Sequence, residues 1–377
     1  MVTIAFTGGG TGGHIFPGLA IVAFIKKISI AKGVSLRLIW IGSNKGMDRS
    51  IVERAGMEFF GIPSGKLRRY FSVQNITDIF KVLAGFFAAL RVLKREKPAL
   101  LFSKGGFVSV PPCAASALLK IPVFAHESDF SPGLATRINS RFAEKIFIPY
   151  KESARLYRDR RGRGGAEEKI YVSGNPIREE FAGADPKKGR AFLGLGEDER
   201  ILLVLGGSLG SRELNDLVRL TLPELTRYYT VVHQSGGGEK ADPNNGVERY
   251  LCYPFFREEL PHIIAAAELV LCRSGASTIW ECKSLNKPMI LVPLRGSGTR
   301  GDQVENARLF EEAGAAVCLS GGHSSEDLSG LVASLAGDGN RRKAMGEAKI
   351  GRIMQSEIHA AEFIAEEIMH RIGGDNG

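Results

Sequence analysis

The 377-residue sequence predicts an α/β protein made of two doubly wound, Rossmann-like parallel sheets. Short apolar runs alternate with helical stretches. The alternation stops at a charged, Gly-rich stretch and then starts again. Gly-rich turns follow several of the predicted strands. The length agrees with two domains, since a single core stops growing near ~250–300 residues. With 44% hydrophobic and 24% charged residues the composition is that of a globular protein, which excludes a disordered or collagen-like chain.

In the front half, Val2–Phe6, Leu36–Ile41, Leu100–Phe102, Val123–Ala125 and Ile146–Ile148 read as buried parallel strands. Helical patterns such as Pro17–Lys27 and Asn75–Lys97 lie between them. After Asn175–Pro176, the runs Ile201–Leu205, Tyr229–His233, Leu269–Cys272 and Met289–Val292 predict a second sheet. The stretch Tyr157–Glu168 (YRDRRGRGGAEE) reads as an exposed loop. The expected domains are therefore 1–168, 169–352 and a terminal segment 353–377. An amphipathic helix over roughly Ile353–Ile372 could pack back on the first domain.

Charge is divided unevenly. Residues 1–178 hold 28 Lys and Arg against 12 Asp and Glu, a surplus of 16 positive charges; the remainder holds 22 against 29, a deficit of 7. A basic front half attracts nucleic acid, anionic lipid or a phosphorylated ligand, or simply keeps the chain soluble. The five cysteines include no CxxC pair and are odd in number, so neither a zinc site nor a disulfide framework is expected. The N-terminal MVTIAFTGGG reads as a strand and turn rather than a signal peptide.

Three Gly-rich turns follow predicted strands: Gly8–His14, Gly206–Ser211 and Arg273–Thr278. Each leads into a helix N-terminus, where free N–H groups and the positive dipole end favour an anion. None closes with Gly-Lys-Ser/Thr, and the first is not a well-ordered dinucleotide fingerprint, so ATP hydrolysis and hydride transfer lose ground. Glu281, in the helix after the third turn, can accept two ribose hydroxyls. Gln303 and Asn306 share a helix face and can hydrogen-bond sugar hydroxyls. His14 sits where a helix dipole favours neutral imidazole, the form a general base needs. The cluster His126-Glu127-Ser128-Asp129 falls at another strand's carboxyl end. No DxD pair is present, so helix dipoles rather than a metal are expected to stabilise a leaving diphosphate; no metal site and no cofactor are expected.

Residues 66–97 combine apolar and basic character. Lys66, Arg68, Arg69 and Arg91 flank a run containing Ile79, Phe80, Phe86 and Phe87. The uncharged stretch Val82–Leu90 is far short of the ~20 residues that span a bilayer. It fits a segment lying on an anionic membrane surface, or else a buried core helix with solvated ends. The aromatics are not interleaved with the basic residues as a base-stacking platform requires, so nucleic acid is not expected.

The motifs GGGTGGHIFPGLA (8–20), KGGFVSVPP (104–112), HESD (126–129), SGNPIR (173–178), GGSLGSRELN (206–215), HQSG (233–236), CRSGASTIWE (272–281) and DQVENA (302–307) together resemble the MurG family of peptidoglycan glycosyltransferases, in order and over nearly the whole chain. The resemblance implies a B-type glycosyltransferase with a deep cleft between its domains. It implies UDP-N-acetylglucosamine as donor, and as acceptor the 4-hydroxyl of N-acetylmuramic acid on undecaprenyl diphosphate. Transfer would invert the anomeric carbon without a metal, at the cytoplasmic face of the cell membrane. By the same resemblance Ser208 would hold the diphosphate, and Ala276, Ser277 and Thr278 the donor sugar and phosphates. Glu281 would hold the ribose, and the backbone near Phe256 and Arg257 would meet uracil. Arg178, Gln303 and Asn306 would contact the donor, and Thr11, Gly12 and Gly13 would face the cleft. His14 is the candidate base, with Glu127 its rival.

Two positions depart from the family pattern. Asp129 stands where an Asn is usual and follows Ser128, which puts a donor or acceptor contact in doubt. Arg295–Gly301 is unusual beside the donor-sugar motif. A UDP-sugar epimerase of the same fold, or a non-catalytic nucleotide-sugar-binding module, are the competing readings.

Overall fold

The computed structural model describes residues 1–45, 48–65, 74–157, 167–207, 210–237, 246–294, 301–319, 324–350 and 359–373. The chain forms two compact units, Met1–Arg178 with Gln355–Gly377, and Glu179–Met354.

In the first unit, β1 (Val2–Thr7), β2 (Leu36–Ser43), β3 (Glu58–Ile62), β4 (Leu100–Ser103), β5 (Val123–His126), β6 (Lys145–Ile148) and β7 (Ile170–Val172) form one sheet in the order β3-β2-β1-β4-β5-β6-β7. All its pairings are parallel; Phe6 aligns with Trp40 on one side and Phe102 on the other. Strands β1, β4 and β5 are almost wholly buried, which is why they read as unbroken apolar runs. The linking helices are α1 (Phe16–Ala31), α2 (Asp48–Arg54), α3 (Gln74–Glu96), α4 (Val110–Leu118) and α5 (Leu134–Asn139). Pro17 lies in the first turn of α1, where its missing N–H costs nothing.

The second unit repeats the plan. Its strands β8 (Ile201–Leu205), β9 (Thr230–Gln234), β10 (Tyr250–Tyr253), β11 (Leu269–Cys272), β12 (Met289–Leu291) and β13 (Ala316–Cys318) run parallel in the order β10-β9-β8-β11-β12-β13. The helices are α6 (Pro186–Leu193), α7 (Arg212–Leu225), α8 (Leu260–Ala266), α9 (Ala276–Ser284), α10 (Asp302–Glu312), α11 (Ser325–Gly337) and α12 (Gly339–Glu347). Leu202, Val204, Leu269, Leu271, Val218 and Leu328 share its core.

The chain then returns to the first unit through α13 (Ala360–Gly373). Its Ile364, Ala365 and Ile368 are buried in one cluster with Ile21 and Ile25 of α1. Lys145–Glu367 and Arg371–Glu144 ion pairs fasten it beside β6. Two differences from the sequence reading concern this region. The first unit runs past the expected break at 168 to Arg178, because β7 pairs with β6. The terminal helix begins at Ala360; residues 351–358 lie outside the described part of the chain.

Strands β3, β7, β10 and β13 were not foreseen. Each is at a sheet edge, where the apolar run is short or interrupted, as by Glu58 and Gly61 in β3.

Candidate active site

In a sheet of order 3-2-1-4-5-6 the connections diverge at the 1/4 boundary, and ligands bind beyond the carboxyl ends of the strands there. In the first unit that boundary is β1/β4, flanked by the Gly8–His14 and Lys104–Gly106 turns. In the second it is β8/β11, flanked by the Gly206–Gly210 and Arg273–Gly275 turns.

The Gly8–His14 turn is held from below. Trp40 donates its indole N–H to the Gly8 carbonyl at 3.0 Å. The buried Asp48 carboxylate accepts from the Gly10 amide at 3.1 and 3.2 Å and from the Ser43 amide at 3.2 Å. Burial raises the Asp48 pKa, and these amides oppose the rise. A Cβ on Gly9 would meet Asp48 Oδ2 at 2.0 Å, so the turn needs glycine there. Gly12–His14 form a single 3₁₀ turn ahead of α1. Thr11 is exposed, Gly12 buried, and Gly13 and His14 half-buried. The His14 ring lies against the next turn: a Cβ on Gly106, at φ +79°, would come within 3.1 Å of its Cδ2, and one on Gly105 within 3.8 Å of its Nδ1. The guanidinium of Arg178 sits 4.9 Å over the ring of Phe16, at the start of α1.

Beyond β5, Glu127 is buried and both its oxygens are engaged. Oε1 accepts from the Ser128 and Asp129 amides at 2.9 and 3.3 Å; Oε2 accepts from the Gly133 amide at 3.0 Å and the Thr136 hydroxyl at 2.6 Å. Four donors make this carboxylate the organiser of the loop into α5, a geometry suited to holding backbone rather than to accepting a substrate proton. His126 Nε2 pairs with the Gly174 carbonyl at 3.1 Å, and Asn175 donates to the Ser128 carbonyl at 2.9 Å, so SGNPIR is tied to HESD. Burial, with Lys104 nearby, holds the His126 pKa well below its usual value.

In the second unit, Gly207 (φ +91°) and Gly210 (φ +76°) close a turn through a 3.1 Å hydrogen bond from Gly210 N to Gly207 O. A Cβ on Gly210 would stand 2.3 Å from the Ser235 carbonyl. Ser208 lies outside the described residues. Gln234 links two loops: it donates to the Gly207 carbonyl at 3.3 Å and accepts from the Phe256 amide at 3.0 Å. The Arg257 amide is taken by its neighbour Glu259 at 3.1 Å, and its side chain is exposed. Of the backbone expected to meet a base, both amides are thus occupied. Beneath this, buried His233 pairs with the Tyr250 hydroxyl at 2.9 Å and Asn215 Oδ1 at 3.1 Å, and burial lowers its pKa to about 4.

Helix α9 opens directly from the third turn. Its N-cap Gly275 offers no side chain, so the amides of Ala276, Ser277 and Thr278 keep the free N–H character of a helix start. Ser277, Thr278 and Glu281 are half-buried on this helix, Glu281 in its second turn. Asn306 is fully buried and donates to the Ser274 carbonyl at 3.2 Å, so it shapes the turn from inside. Gln303 turns its side-chain oxygen to the Leu294 amide at 3.0 Å and to Arg273 Nε at 3.4 Å. Its amide nitrogen is what remains to meet a ligand. Sequence reasoning assigned no role to Asp48, Trp40, Lys104 or Gln234; each acts on a turn far away in sequence, and only the motifs KGGFVSVPP, for Lys104, and HQSG, for Gln234, carried a local signal.

Helix α3 has one face in the core, where Ala89 and Leu93 are buried and Phe86 and Leu90 pack beside them. On the other face Ile79, Phe80, Leu83 and Phe87 are exposed, Phe80 by 67% and Phe87 by 63%. Arg91, Lys94 and Arg95 continue this face, lining a shallow depression with Phe87 and Leu90. The alternative of a buried core helix with solvated ends is thus met on one face only, and Phe86 turns inward from the exposed set. Lys66, Arg68 and Arg69 lie outside the described residues. Among the described residues α1, with its preceding turn, is long and apolar enough to cross a membrane. Ile21 and Ile25 place one face of it in the first unit's core under α13, while Lys26, Lys27 and Ile30 are exposed.

Two family models cover most of the chain: the glycosyltransferase family 28 N-terminal domain over residues 4–148 and the corresponding C-terminal domain over 201–364. A UDP-N-acetylglucosamine–N-acetylmuramyl-(pentapeptide) pyrophosphoryl-undecaprenol N-acetylglucosamine transferase of Treponema denticola is 47% identical, covering 85% of this chain and 84% of the relative. The transferase of the same name from Clostridium perfringens is 39% identical over 93% and 94% of the two chains. The crystal structure of Acinetobacter baumannii MurG superposes with a TM-score of 0.68 at 21% identity, covering 98% and 99%, which is a likeness of fold. The chain belongs to glycosyltransferase family 28, among the MurG N-acetylglucosaminyltransferases.

Proposed function

We propose that this chain transfers N-acetylglucosamine from UDP-N-acetylglucosamine to the 4-hydroxyl of N-acetylmuramic acid in lipid I, giving lipid II with inversion at the anomeric carbon. The observation that carries the donor side is the uncapped start of α9 at the β8/β11 boundary. A helix start without a side-chain cap, at the carboxyl end of the strands, suits a nucleotide diphosphate.

In this reading the amides of Ala276, Ser277 and Thr278, with the Gly206–Gly210 turn, hold the diphosphate. Glu281 accepts the ribose hydroxyls, and the Gln303 amide nitrogen donates to the sugar. His14, beside Gly105 and Gly106, takes the proton of the attacking hydroxyl as its oxygen bonds to C1. The C1–O bond to phosphate breaks, and UDP leaves with its new charge facing helix dipoles. In the first unit Thr11, Gly12 and Gly13 belong to the turn that carries His14, Arg178 stands over Phe16, and Glu127 holds the loop after β5; in the second unit Asn306 shapes the third turn. The exposed apolar face of α3, continued by Arg91, Lys94 and Arg95, supports a peripheral seat on anionic membrane, where the lipid-linked acceptor resides.

Mixing the purified protein with UDP-N-acetylglucosamine and a lipid I analogue tests the reading. Disaccharide formation is expected. Isomerised UDP-sugar without transfer, or binding without turnover, overturns it.

A further inference from the structure

Lys104 follows β4 at the β1/β4 boundary and is buried to 1% exposure, an unusual place for an ammonium group. Its Nζ donates to the Ser128 hydroxyl at 2.8 Å. The side chain leaves the backbone against the glycine turn, since a Cβ on Gly8 would stand 3.1 Å from Lys104 Cβ and 2.7 Å from the His14 carbonyl. Burial brings the Lys104 pKa down to about 8, against the pull of Glu127 and Asp129. The side chain thus runs from the turn that carries His14, against which its Cβ packs, to the loop after β5, where its amine is bonded.

Asp129 stands where an Asn is usual in the family, and Ser128 precedes it. An Asn side chain is neutral; Asp129 brings a charge beside Glu127, whose carboxylate is already buried. Two adjacent carboxylates with no cation would raise the cost of burial. Lys104 supplies that cation, and Ser128 supplies the acceptor that fixes it.

We infer that Lys104 is a positioning residue whose buried ammonium, bonded to the Ser128 hydroxyl, holds the Ser128–Asp129 loop and offsets the charge of the two carboxylates that flank Ser128, Glu127 and Asp129, so that changes at Lys104 and Asp129 are coupled. The inference rests on the transferase reading of this site. The groups that face Lys104 are Glu127, Asp129 and His126 from the β5 side, and the His14 turn from the β1 side; Tyr157 faces the same two carboxylates, which raise its pKa further after burial.

The test is a cycle of Lys104→Met, Asp129→Asn and the double variant, with kcat and KM for both substrates, a pH profile and thermal melts. Lys104→Met is expected to lower kcat/KM for the acceptor at least tenfold with the donor KM unchanged. The double variant should recover most of that loss. The wild-type alkaline limb near pH 8, where Lys104 loses its proton, should vanish in the double variant. Losses in the double variant equal to the product of the single losses, or an alkaline limb that persists, overturn the inference while leaving the transferase reading intact. Absence of transfer by the wild-type chain defeats the functional reading instead. The pairing is then decided by the same cycle in the melts, where additive shifts overturn it.

Discussion

The Asp48 carboxylate grips the Gly10 amide across 38 residues of chain, while the same carboxylate accepts the Ser43 amide at the end of β2. One buried side chain therefore sets the shape of the turn that presents His14. Asp48→Ala leaves the buried Ser43 amide and the Gly10 amide at the turn's surface without their acceptor. The expected cost is about 1–3 kcal/mol of stability, read from denaturant midpoints. Transfer activity should fall with it, because the turn loses its anchor. A variant with wild-type stability and activity would show that the turn holds itself.

His14 and Glu127 should respond differently to substitution. His14→Ala is expected to lower kcat by roughly 10²–10⁴, the usual worth of a general base, with an unchanged melting temperature. Glu127→Gln turns an NH₂ group toward donors and should cost about 1–3 kcal/mol of stability. Equal melts for both variants, with the larger kinetic loss in Glu127→Gln, would reverse the assignment.

The buried His233 makes the second unit acid-sensitive. Its folded pKa of about 4 lies below the ordinary 6.5, so the unfolded chain takes up a proton first. Stability attached to this group is intact above pH 6.5 and declines as pH falls toward 4, by roughly 3 kcal/mol. His126 adds a change of the same sign in the first unit. Calorimetry between pH 7 and 4.5 should show the loss, and His233→Gln should flatten part of it. Parallel curves for variant and wild type would count against this account.

Membrane seating and donor binding should separate under salt. Phe80→Ser with Phe87→Ser is expected to weaken sedimentation with anionic vesicles at least several-fold, with the kinetics on a water-soluble acceptor retained. Raised salt should weaken vesicle binding more than donor binding, since surface attraction is screened beyond about 8–10 Å at 0.1–0.15 M. Equal losses of both would deny that the basic front half serves the lipid side.

The sequence made much of this legible. Central strands such as Ile201–Leu205 are buried on both faces, so they announce themselves as apolar runs. Edge strands do not: Tyr250–Tyr253 has half its residues only partly buried. The glycine turns were visible because glycine is where backbone crowds backbone, as Gly210 does against Ser235. What supports those turns was hidden. Asp48, Gln234 and Lys104 act across 38, 27 and 24 positions respectively, distances that only the folded sheet removes. Glu127 and Asn306 were found by motif, but a motif does not tell a side chain facing substrate from one holding a loop.

The most direct measurement is product analysis by NMR after reaction with UDP-N-acetylglucosamine and a lipid I analogue, with released UDP quantified in the same mixture. The account predicts one UDP per β-linked disaccharide, with Glu281→Ala raising the donor KM. An α-linked product, or UDP released without disaccharide, would contradict it.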